Sequence, residues 1–192
     1  MRGGPDGNER LTAASGVVLF LLLAAEGVTI VFIRPLISTH VFIGMLLIPP
    51  LALKLASTSW RFVRYYTGAR EYKAKGPPLL PLRLLAPLVV VSTLAVIGTG
   101  LALLALGPRN GFVVGLHKDA FVVWLVVTGI HVLAYLPRLP RLVAGDWRGG
   151  NAVGGSLARK ALLAGALVVG AILALATIRY AQPWAHWQEG SD

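Results

Sequence analysis

Five long apolar stretches, at about residues 11–33, 36–56, 84–106, 112–136 and 157–178, constrain this chain more than any other feature. Each reaches the roughly 20 residues that a helix needs to cross a hydrocarbon core of about 30 Å. In such a core every backbone N–H and C=O must be satisfied without water, which leaves helices or a closed barrel. None of the stretches alternates with period two, so the helix is the expected solution. Of 192 residues, 56% are hydrophobic and 14% charged, which leaves little for a soluble domain. The expected fold is therefore all-α, an integral membrane bundle of five spans forming one membrane domain over residues 1–192. The same balance excludes a disordered tail, a soluble nucleic-acid-binding domain and a secreted disulfide scaffold. Cysteine is absent, which removes disulfides, thiolate metal sites, iron–sulfur clusters and covalently attached c-type haem. The first stretch is too long for a signal-peptide core and closes on Arg34-Pro35, so it is expected as a retained helix.

The connections alternate in length and charge. Spans one and two are separated only by Arg34-Pro35, and spans three and four by Gly107-Pro108-Arg109-Asn110-Gly111, a turn signal. The other two connections are long and basic. One carries Arg61, Arg64, Arg70, Lys73, Lys75 and Arg83; the other carries Arg138, Arg141, Arg148, Arg159 and Lys160. With Arg2 and Arg10, 13 of the 18 Lys and Arg residues fall on one side. Excess positive charge marks the cytoplasmic side. The expected protein is thus a multi-pass protein of the cell's inner (plasma) membrane, with its N-terminus inside and its C-terminus outside. Trp60, Tyr65 and Tyr66 would sit at the inner interface, Trp184 and Trp187 at the outer one. A net charge of +10 here describes membrane topology, not nucleic-acid binding.

An internal repeat organises the first four spans. Each hairpin (about 11–75 and about 84–148) ends in a basic segment, and the fifth helix, about 157–178, is extra. The second helix of each hairpin begins with a histidine, His40 or His117, and carries another nitrogen side chain fourteen residues later, Lys54 or His131. The tails that follow, Arg61-Phe62-Val63-Arg64-Tyr65-Tyr66-Thr67-Gly68 and Arg138-Leu139-Pro140-Arg141-Leu142-Val143-Ala144-Gly145, are similar in order. Two hairpins of the same orientation imply a pseudo-two-fold axis along the membrane normal.

Fourteen residues at about 100° each return the second side chain to within about 40° of the first, about 21 Å further along the axis. One face of span four therefore carries two imidazoles, His117 and His131, one near each membrane surface. That spacing cannot serve a single metal ion; it suits two cofactors stacked across the bilayer. Intramembrane polar groups default to function, and neutral imidazole is a good ligand for haem iron. Each group also has a simpler reading. The histidines can be interhelical hydrogen-bonding groups, and Lys54, close to the end of its span, can snorkel to the interface. Glu26, in the outer third of span one, reads either as a proton-transfer group for a quinone or as a structural hydrogen bond. Gly27, Gly44, Gly98, Gly100, Gly115 and Gly129 give clearance for helices or for a flat ligand. Pro49-Pro50 is expected to kink span two. Arg34 and Arg109 read as interfacial anchors or propionate partners, and His186 as a non-ligand. Gly149-Gly150-Asn151-Ala152-Val153-Gly154-Gly155 lacks the ending of a phosphate loop and reads as a connector.

A helix with His-x13-His facing a helix with a His at matching depth resembles the b-type cytochrome subunits of membrane-bound formate dehydrogenase and nickel–iron hydrogenase. The resemblance covers spans one to four. It implies b-type haem, with His40 and His117 as axial ligands of an outer haem and His131 as a ligand of an inner one. Family members with two haems often carry a His near the start of the first helix; here that stretch reads Glu9-Arg10-Leu11-Thr12-Ala13-Ala14-Ser15-Gly16. The inner site is accordingly His131/Lys54, five-coordinate through His131, or empty, and the haem count one or two. The implied function is an electron-transfer subunit between an extracytoplasmic or peripheral redox subunit and the membrane quinone pool. It would be part of an oxidoreductase and not a complete enzyme. The competing reading is a haem-free transporter or assembly factor whose His and Glu residues relay protons.

Overall fold

The computed structural model describes residues 3–76, 80–138 and 153–189, and no strand occurs among them. Helix α1 spans Gly4–Val31 and α2 spans Ile33–Tyr66. A short α3, Arg70–Ala74, leads to α4, Leu80–Leu106, and α5, Gly111–Tyr135, which ends in a 3-10 turn at Leu136–Arg138. Helix α6 runs over Ser156–Thr177 and continues through a 3-10 turn, Ile178–Ala181, into α7, Gln182–Glu189. Five helical segments are long and apolar enough to cross a membrane: α1, α2, α4, α5 and the continuous run Ser156–Ala185. This is an all-α, multi-pass membrane architecture. Apolar side chains such as Leu21, Val31, Leu84, Val126 and Leu175 lie exposed on its outside, as a hydrocarbon solvent requires.

The helices extend past the apolar stretches that define them. At 1.5 Å per residue, the 34 residues of α2 measure about 51 Å, some 20 Å more than a hydrocarbon core. Its last turns therefore stand beyond the core and carry Trp60, Arg61, Arg64, Tyr65 and Tyr66. There Arg64 lies 5.9 Å from the Trp60 ring and 5.8 Å from the Tyr72 ring, so α3 folds back onto the end of α2. Arg83 Nη2 donates to Tyr66 Oη at 2.7 Å, tying the start of α4 to the same end. We call this the loop end. The opposite, hairpin end holds the turn around residues 32–36 and the turn at residues 107–110. Gly107 takes φ +76° to close α4, and the Asn110 side chain accepts from Val113 N at 3.2 Å to start α5.

The torsions along α2 locate its non-helical residue. Pro49 and Pro50 sit inside the helix with helical torsions, and the non-helical residue is Leu36 (φ −111°, ψ 16°), beside Pro35 in the turn. The missing N–H of Pro50 frees the carbonyl four residues earlier, that of Leu46. Gly170 of α6 packs against that carbonyl: a Cβ at Gly170 would lie 2.5 Å from Leu46 O. A neighbouring helix thus covers the polar group that the proline exposes, as in other proline-containing spans.

Helices α1, α2 and α6 form one packed group, centred on α2, and α4 and α5 form a second. The two groups touch thinly, through α2 with α4 and through α4 with the turn after α6. No residue of α5 is buried. Of the six span glycines, Gly44 and Gly100 stand close to a side chain, 3.5 Å from Glu26 Oε1 and 3.3 Å from His117 Cε1 measured from an added Cβ. Gly27, Gly98, Gly115 and Gly129 meet nothing within 4 Å. Those four mediate no helix contact here. The second repeat tail beyond Arg138, Arg141, Arg148 and the glycine-rich stretch up to Ala152 lie outside the described residues.

Candidate functional site

The site is built from one helical hairpin of each group. His40 stands on the first turns of α2 and His117 on the first turns of α5, both near the hairpin end. Their rings approach edge to face, with centroids 6.4 Å apart and planes at 75°. They come from helices that share no substantial packing surface, so the approach is not a by-product of a close helix crossing.

Each imidazole is held at its Nδ1 by its own hairpin. His40 Nδ1 lies 3.1 Å from Thr29 Oγ1 and 3.0 Å from Glu26 Oε1, both on α1. His117 Nδ1 lies 2.9 Å from Thr99 Oγ1 on α4. Glu26 and Thr29 are buried and are linked to each other, with Thr29 Oγ1 3.2 Å from Glu26 Oε2. A carboxyl or hydroxyl behind Nδ1 is the usual outer support of a metal-ligating histidine. It engages Nδ1 and leaves Nε2 as the ring nitrogen open to a ligand.

The donor set bears directly on what the pair can hold. Two imidazoles that bind one metal ion through Nε2 at about 2.0 Å each have nitrogens about 4 Å apart and centroids a little over 6 Å apart. The observed 6.4 Å fits that requirement. Among the described residues no group of three or more His, Cys, Asp or Glu side chains converges on a point. A pair of imidazoles is a donor set that would suit a haem, which would supply one-electron redox chemistry. His40 and His117 are thus the residues that would hold b-type haem at the hairpin end. Arg34 and Arg109 are exposed in the two turns at the same end.

The loop end is built differently. His131 lies one ring stack from Tyr135, with centroids 4.8 Å apart, and its Nδ1 is buried without a hydrogen-bond partner, as is Thr128 Oγ1 one turn earlier. Lys54 on α2 lies within electrostatic range of His131. Its Nζ passes over Gly16 and donates to the Thr12 carbonyl of α1 at 3.0 Å. Beyond it, Thr12 Oγ1 and Ser57 Oγ are 2.5 Å apart, and Ser57 donates to Asn8 Oδ1 at 2.6 Å. Asn8, Thr12 and Ser57 thus occupy the stretch of α1 and α2 where a first-helix histidine was expected and is missing. Lys54 and His131 share a depth, but the ammonium is engaged on α1 and His131 lacks the support that both outer histidines have.

The threonines were not among the expected site residues. A Thr on the first helix of each hairpin, in register with the His on the second, is the signal that could have found them. The separations differ, however: eleven residues from Thr29 to His40 and eighteen from Thr99 to His117. The side chain of His186 lies outside the described ones. Comparison with known protein families, with curated protein sequences and with solved structures returns no match for this chain.

Proposed function

We propose that this chain is the membrane-embedded cytochrome b subunit of an oxidoreductase. In this reading it carries electrons between an extracytoplasmic redox partner and the quinone pool, with its N-terminus and basic loops in the cytoplasm. The observation that carries the reading is the His40–His117 pair, drawn from separate hairpins, at a spacing suited to one iron and with both Nδ1 atoms engaged. Haem bound there supplies one-electron redox chemistry. The chain's own residues place the imidazoles, support them through Thr29, Glu26 and Thr99, and keep the site within apolar helices. His131 is the candidate ligand of an inner haem, whose second ligand is Lys54 or none.

One observation favours the haem-free relay as a second reading: the buried Glu26 carboxyl touches His40 Nδ1 at 3.0 Å, a geometry that also passes protons. A reduced-minus-oxidised spectrum of the purified chain separates the two readings. The cytochrome reading expects a b-type difference signal with a low-spin component that His40→Ala and His117→Ala each remove, because each takes one axial ligand from the same iron. A wild-type chain expressed with haem supplied but lacking any such signal refutes it. A signal that survives both substitutions refutes the pairing.

A further inference from the structure

Resting on the cytochrome reading, we propose that Thr29 and Thr99 are positioning residues that set the tautomer of His40 and His117. Each hairpin thereby carries a complete half-site, a hydroxyl on its first helix and a ligand on its second. The argument is one of proton counting. A threonine hydroxyl has a single hydrogen to give. Thr29 Oγ1 stands 2.6 Å from the backbone carbonyl of Glu26, and Thr99 Oγ1 stands 2.7 Å from that of Ala95 and 3.0 Å from that of Val96. These carbonyls can only accept, and the nearest one on each helix lies closer to the hydroxyl than the imidazole does, so we place each hydroxyl hydrogen on its own helix. Toward the imidazole the threonine oxygen can then only accept. In this arrangement the Nδ1 atoms at 3.1 and 2.9 Å carry the ring proton. In a neutral imidazole that leaves the lone pair on Nε2, the atom that a metal shared by the two rings requires.

Two hairpins reach this arrangement with different spacings between Thr and His, so it is not a simple copy of one local motif. It is also asymmetric. His40 has a carboxyl oxygen beside it, Glu26 Oε1 at 3.0 Å, whereas beside Thr99 His117 has the Val96 backbone. At the loop end, where His131 Nδ1 has no partner, no such selection operates.

The test is hemin titration of the haem-depleted full chain in detergent, read by Soret absorbance and by the fraction of low-spin haem. Thr99→Val keeps the shape and removes the acceptor. Loss of an outer partner of this kind typically costs about 10- to 100-fold in metal affinity, and that loss, with a rise in high-spin haem, is expected for Thr99→Val. Thr99→Ser keeps the hydroxyl and should restore wild-type affinity and spin state. Thr29→Val should likewise weaken haem binding, and the remaining contacts, Glu26 with His40 and the Val96 backbone with His117, keep either loss from being complete. Helical circular dichroism of each haem-free variant checks folding, and Thr99→Ala replaces Thr99→Val if the latter does not fold. Wild-type affinity and spin state in the folded Thr99→Val or Thr99→Ala chain, alongside loss in His117→Ala, overturn the tautomer role and leave the haem site standing. Equal haem uptake by wild type and His117→Ala overturns the site itself, and the proposal with it.

Discussion

Gly170→Ala should loosen α6 from α2, and the structure sets the size of the effect. An alanine Cβ at this position would stand 2.5 Å from Leu46 O, 3.1 Å from Leu46 Cδ1 and 3.3 Å from the Leu46 carbonyl carbon. The first contact is nearly 1 Å inside ordinary van der Waals distance, and its partner is backbone, which cannot turn aside. The carbonyl is also one that Pro50 leaves without its helical donor, so a methyl placed on it removes its cover. Overpacking of this kind costs about 1–3 kcal/mol. Replacing Gly by Ala in a helix interior returns up to about 1 kcal/mol. The net expectation is a loss of about 1–2 kcal/mol, or roughly 5- to 30-fold in the folded-to-unfolded ratio. Gly165 lies on the same helix with nothing within 4 Å of an added Cβ, so Gly165→Ala carries the same propensity gain without the clash. Unfolding both variants in mixed detergent micelles by titrating SDS, followed by helical circular dichroism and tryptophan fluorescence, isolates the packing cost as their difference. If Gly170→Ala is as stable as Gly165→Ala, the close approach of α6 to the Leu46 carbonyl is wrong.

Three further outcomes are expected. Lys54→Arg should leave the haem spectrum unchanged, because the Lys54 ammonium is already committed to the Thr12 carbonyl and a guanidinium can replace it there; a changed inner-haem band would make Lys54 a ligand. Lys75 should contribute a small, salt-sensitive clamp at the loop end, where its ammonium bridges Asp6 and Glu9. Partial burial lowers its pKa, but the two carboxylates outweigh that and raise it above 10.5. The clamp is therefore complete below the unfolded value and lost as pH rises through the higher folded one. Being partly exposed, it is worth about 1 kcal/mol or less, measurable as the difference between wild type and Lys75→Met in unfolding midpoint at low and high salt. Finally, a topology reporter fused after Asp192 should be extracytoplasmic and one inserted at Lys75 cytoplasmic; the reverse pattern refutes the charge argument.

Much of the architecture was legible because a bilayer permits few solutions. Apolar runs of sufficient length with no period-two alternation dictate spanning helices, whatever their neighbours. The hairpin order and the equal depth of His40 and His117 were legible for the same reason, since depth is arithmetic along a helix axis. The extension of α2 to Tyr66 was not, because its last turns are polar and aromatic and continue the helix beyond the segment that hydropathy detects. Pro49-Pro50 marked an irregular turn by local rule, but not that Gly170 lets α6 cover the carbonyl which Pro50 frees. That accommodation depends on a residue more than a hundred positions away.

The sequence by itself determined the all-α membrane class, the charge asymmetry and the candidate nitrogen ligands, because each follows from composition or from rise per residue along one element. Only the tertiary structure decided which ligands meet. Helical periodicity says that His117 and His131 share a face, but not what stands opposite. The packing of α1, α2 and α6 into one group and of α4 and α5 into another brings the His40 and His117 rings to 6.4 Å from each other. It also decided that Thr29, Glu26 and Thr99 stand behind the imidazoles and that Lys54 turns onto Thr12. Such contacts depend on the rotation of each helix about its axis and on its offset from its neighbour. Both are set by how side chains interlock between helices, which no single helix's sequence specifies.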